Sequence, residues 1–75
     1  MTAVVYRKLP GKPRQYVRRI VAHQVLWIGN RLWAERMTAN DAATVAVCLK
    51  LRSTGHYRVA PTEPQGEYGT EEVTT

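Results

Sequence analysis

Seventy-five residues are enough for one small domain, whose core is marginal unless something reinforces it. Cys48 is the only cysteine, which excludes a disulfide framework and with it the usual small secreted scaffold. The net charge of +5 hides an asymmetry: eleven bases and two acids precede residue 61, giving +9, while residues 61–75 hold four glutamates and no base, giving −4. A body so basic predicts a polyanionic partner, either nucleic acid (DNA or RNA) or an acidic protein surface. The N-terminal segment has no long apolar run, and the longest apolar stretch, Val25–Ile28, is far too short to span a bilayer. A cytoplasmic address without membrane contact is expected.

In chain order, Thr2–Leu9 is rich in β-branched and aromatic residues and predicts a short strand. Leu9-Pro10-Gly11-Lys12-Pro13 then forms a turn, and Pro13 suits the first turn of a helix because its missing donor is not needed there. From Arg14 to Met37, Val17, Val21, Val25, Ile28 and Leu32 recur at four-, four-, three- and four-residue steps, which predicts a long helix of roughly 36 Å. Tyr16, Ile20 and Trp27 form a second apolar line on it, and Ala22, Leu26, Trp33 and Met37 a third. A helix apolar on several sides needs cover on several sides, so a homodimer, or a larger partner that covers it, is expected; Gly29-Asn30 is its weak point.

Thr38 and Asp41 mark the start of a second helix running to about Arg52, with Ala42, Val45, Ala46 and Leu49 on one face and Gly55 as its stop. Val45, Val47, Leu49 and Leu51 also alternate as a strand would, but the punctuation at both ends favours the helix. Gly55–Ala60 predicts a last strand, closed by Pro61. The expected fold is mainly α, a small α+β arrangement of strand, long helix, second helix and strand, with the two strands paired as a ribbon. Residues 1–60 form the single basic domain, and residues 61–75 a disordered acidic tail.

No catalytic constellation can be assembled. His23 and His56 are scattered, Cys48 lies in an apolar context that suits packing, and Asp41 is explained by capping. Pro10-Gly11-Lys12 lacks the frame of a phosphate-binding loop. The chain is expected to be a non-enzyme with no metal and no cofactor. Arg7, Lys8, Lys12, Arg14, Arg18 and Arg19 place six of the eleven bases within thirteen residues, with Tyr6 and Tyr16 interleaved. That cluster is the leading candidate for phosphate contact. Lys50, Arg52 and Arg58 form a second candidate surface, in the order of a recognition helix followed by a wing. The expected function is non-catalytic nucleic-acid binding by a small regulator. The alternative is an interaction protein that inhibits or adapts a partner protein, or a structural subunit of an assembly.

Overall fold

Strands dominate the architecture. The structure, a computed structural model, describes residues 2–55 and 58–73. In chain order they form β1 (Thr2–Lys8), β2 (Gln15–Val21), β3 (Gln24–Ile28), a 3-10 turn (Arg31–Trp33), β4 (Met37–Thr38), one helix α1 (Ala39–Thr54) and β5 (Glu67–Val73). All the strand pairings are antiparallel. β5 pairs with β1 along its whole length, from Thr2 opposite Val73 to Lys8 opposite Glu67. The other edge of β1 is shared: Tyr6 and Arg7 pair with β2, and Thr2 and Ala3 pair with β4. β3 lies outside β2.

The period of two along each strand divides the side chains between two faces. On the helix face, Ala3, Val5, Val17 and Tyr68 pack with Ala42, Ala46 and Leu49 of α1, flanked by Val25, Trp27, Met37 and Val45. On the opposite face, Val4, Tyr16 and Ala34 form a smaller cluster bordered by Tyr6, Ile28 and Val73. Ala34 belongs to the segment between β3 and β4, which crosses this second face of the sheet. Covered on both sides, β1 buries Val4 and Val5 completely although they point in opposite directions.

The mainly α expectation is corrected. The predicted helix over residues 14–37 is a hairpin, β2 and β3, followed by the crossing segment. The hairpin strands carry Val17, Ile20, Val21, Val25 and Ile28, β-branched residues that lose side-chain freedom on a helix and pack well on a pleated surface. Ala22 and His23 make the turn in the left-handed region, at φ 49° and 65°. The register also shifts between Val17 and Arg19, leaving Arg18 as an extra residue on β2. A turn and a bulge between two strands thus imitate helical spacing. The homodimer was expected from a helix apolar on three sides, and that physical basis is gone.

α1 begins where Thr38 and Asp41 place it, with the Asp41 amide donating to Thr38 Oγ1 at 3.2 Å. It ends at Gly55, with φ 76°, where a Cβ would meet the Val59 carbonyl at 3.0 Å and the Pro61 ring at 3.3 Å. The strand expected over Gly55–Ala60 is not formed among the described residues; His56 and Tyr57 lie outside them. The tail expected to be disordered instead supplies β5. Its Tyr68 is buried on the helix face, and its backbone pairs the edge of β1 that would otherwise be open. Among the described residues no helix is long and apolar enough to cross a membrane.

Candidate functional site

The basic cluster splits at its first two members, because adjacent strand residues face opposite ways. Arg7 turns to the helix face. There its guanidinium lies 4.1 Å from the centroid of the Trp27 ring, donates to Gln15 Oε1 at 2.8 Å and pairs with Glu63 at 3.5 Å. Trp27 in turn meets Tyr68 edge-on, with centroids 6.3 Å apart. Burial of Tyr68 raises the pKa of its hydroxyl, against the opposing pull of Arg7. Arg7 is therefore built into the core edge and is withdrawn from the candidate surface.

Lys8 alternates onto the opposite face, the one the segment 29–36 crosses. Its ammonium donates to the Leu9 and Lys12 carbonyls, so it closes the β1–β2 turn in which Lys12 sits exposed. Arg14 lies 4.1 Å over the Tyr6 ring. Beneath Tyr6 is Gly69, its partner across the strands, where a Cβ would come within 3.0 Å of the ring. The glycine lets the ring lie flat on β5 and so sets the height of Arg14.

Glu71 of β5 is the hub of this face. It accepts from Arg14 Nη1 at 2.6 Å and from the Tyr16 hydroxyl at 3.0 Å, and pairs with Arg31 Nε at 2.7 Å. Arg31 also donates to the Glu72 carbonyl at 2.8 Å, tying the crossing segment to the sheet's far edge. Partial burial works against ionisation of Glu71. The bonds from Arg14 and Tyr16 and the charges of Arg14 and Arg31 outweigh it, and hold the carboxyl below its ordinary pKa. Burial, followed by the bond to Glu71, raises the pKa of Tyr16.

Arg18 is aimed by the bulge. It donates to the Trp33 carbonyl at 2.9 Å and its guanidinium sits 5.6 Å from the centroid of the Trp33 ring. Arg19, opposite Leu26 on β3, is exposed and lies on the same face by register. Trp33 and Leu32 stand outermost, 56 % and 81 % exposed. Their backbone is nonetheless fixed: Asn30 Oδ1 accepts from the Leu32 amide at 3.0 Å, and Ala34 anchors the segment in the smaller core.

Of the six bases singled out by sequence, Lys8, Arg14, Arg18 and Arg19 therefore share the crossed face, with Lys12 on its rim and Arg7 behind it. Sequence reasoning missed Arg31, Trp33 and Glu71. Trp33 and Arg31 lay within the supposed helix, and Glu71 within the supposed tail. The density of β-branched residues from Val17 to Ile28 was the signal that could have exposed the hairpin and released them.

The second candidate surface does not assemble as a helix and wing. Lys50 is exposed on α1, Arg52 donates to the His23 carbonyl at 3.1 Å, and Arg58 is exposed in a turn. Arg52 and Arg7 do line an open pocket of about 450 Å³ with His23, Trp27, Thr62 and Glu63. Cys48 is exposed on α1 and not packed, since Ala42, Ala46, Leu49 and Ser53 are the residues that helix buries. Among the described residues no three metal-ligating side chains converge. Comparison with protein-family models, curated proteins and solved structures gives no match.

Proposed function

We propose that this chain is a small non-catalytic nucleic-acid-binding protein, a regulator by type, and that the crossed face of its sheet makes the contact. One observation supports it above the others: Lys8, Arg14, Arg18, Arg19 and Arg31 lie on one face of the sheet, where Arg18 stands beside an exposed indole. Against them on that face stand Glu71, already shared by two arginines, and Glu67 opposite Lys8. Guanidinium groups on a rigid sheet suit phosphate oxygens, which accept two donors from one fork. Among the described residues Arg18 and Arg19 meet no carboxylate, and both are exposed to solvent where phosphate could reach them.

Arg18→Ala combined with Arg19→Ala should weaken binding to a random-sequence oligonucleotide. It should also lower the slope of log affinity against log salt by about two, since each phosphate contact adds nearly one. Fluorescence anisotropy across a salt series measures both. Undetectable binding of the unaltered protein at low salt would refute the proposal.

The adjacent exposure of Leu32 and Trp33 favours a second reading, in which the same face anchors an acidic protein partner. Binding to such a partner would lack the linear salt law of counterion release.

A further inference from the structure

We propose, resting on the nucleic-acid reading, that the ligand is a single strand and that Trp33 is the platform on which one of its bases stacks. A side-chain ring can stack only on a base whose face is free, and in a duplex those faces are covered by neighbouring pairs. Trp33 has more than half of its surface in water, on a face where the other aromatic rings among the described residues are already covered. Tyr16 is buried with its hydroxyl on Glu71, and Tyr6 carries Arg14 at 4.1 Å.

The platform is organised before any ligand arrives. Asn30 caps the 3-10 turn, Arg18 holds the Trp33 carbonyl, and buried Ala34 pins the following residue. Little backbone entropy remains to be lost when a base lands on the indole. Arg18 lies over the ring at 5.6 Å, exposed to solvent, so it stands where the phosphate or the outer face of a stacked base would be. Arg19 and Lys12 extend the positive charge from there along the hairpin and its neighbouring turn.

A duplex reader would need a polar element projecting into a groove. α1, the one α-helix among the described residues, lies on the other side of the sheet; beside its exposed Ala43, Val47, Cys48 and Leu51 it carries only two bases, Lys50 and Arg52, and Arg52 is tied to the His23 carbonyl. Charge complementarity and a largely exposed ring, its arginine 5.6 Å away and not in the close stack that covers Tyr6, therefore select an unpaired strand.

The test compares an oligothymidylate of about 12 nucleotides with a duplex of the same length, within the span that single-strand modules cover. The unaltered protein should prefer the single strand. Trp33→Ala should reduce single-strand affinity about ten-fold, while leaving duplex affinity unchanged, and Trp33→Phe should restore most of the loss. Because the ring is exposed, the amide spectra of both variants should match the parent and exclude unfolding as the cause. Equal binding of both oligonucleotides, or an Ala variant that lowers both alike, would overturn the single-strand inference and leave the nucleic-acid reading standing. Failure of both to bind at low salt would overturn that reading as well, in favour of the protein-partner alternative.

Discussion

The two faces of this sheet are built from the same strands and differ in packing and charge. On the helix face, small residues (Ala3, Ala42 and Ala46) let α1 approach β1 closely, and the strand base it receives, Arg7, is stacked on Trp27 and paired with Glu63. On the crossed face the core is small, and most of the surface is charge and aromatic ring around Glu71. Arg7 and Lys8, neighbours in sequence, belong one to each. In a chain this short, the larger core and the clustered charge are separated by strand alternation, not by domain or by segment.

The largest expected effect breaks both faces together. β5 gives Tyr68 to one and Glu71 to the other, and satisfies an entire edge of β1. Deleting residues 62–75 should therefore unfold the protein, with collapse of amide dispersion and loss of the cooperative urea transition. A truncated protein that still melts cooperatively would mean that β5 is not integral.

Next in size is a contrast between faces. Leu49, 2 % exposed beneath the sheet, should cost about 2–4 kcal/mol when replaced by Ala, through lost burial and the cavity left. Leu32→Ala on the crossed face should change stability by less than about 0.5 kcal/mol. Urea denaturation measures both, and similar losses would contradict the division of labour.

The smallest effect sharpens the crossed face alone. Glu71→Gln should destabilise by roughly 1–2 kcal/mol at neutral pH, because it weakens bonds to two arginines and a tyrosine that are only partly shielded from water. The folded protein holds Glu71 more acidic than its ordinary value of 4.5, so its contribution is complete above that pH. The contribution then falls as pH drops through the depressed value. The stability difference between parent and variant should accordingly shrink below pH 4.5 in urea titrations taken at successive pH values. A difference that is constant with pH would mean that the charge on Glu71 contributes nothing.

Much of the local punctuation was legible. β1 could be read, one residue long at its end, from Thr2–Leu9, the first turn from its prolines and glycine, and α1 from Thr38, Asp41 and Gly55. These features act over a few residues, where capping bonds and restricted backbone angles are decided by the side chains themselves. The hairpin was hidden for the converse reason. Its turn uses Ala22 and His23 in a left-handed conformation where Asn or Gly would announce it, and the bulge at Arg18 displaced the alternation that marks a strand.

By itself the sequence determined the charge asymmetry, the concentration of bases between Arg7 and Arg19, and one capped helix. Only the tertiary structure decided which of those bases share a surface, and that four glutamates near the C-terminus belong partly to a strand. An arginine's face depends on strand register, and register depends on pairing with residues as far away in the chain as Val73 is from Thr2. Glu71 shows the same limit: in sequence it is one more solvated acid, and it becomes the hub of the basic face only once β1 carries β5 alongside Arg14, Tyr16 and Arg31.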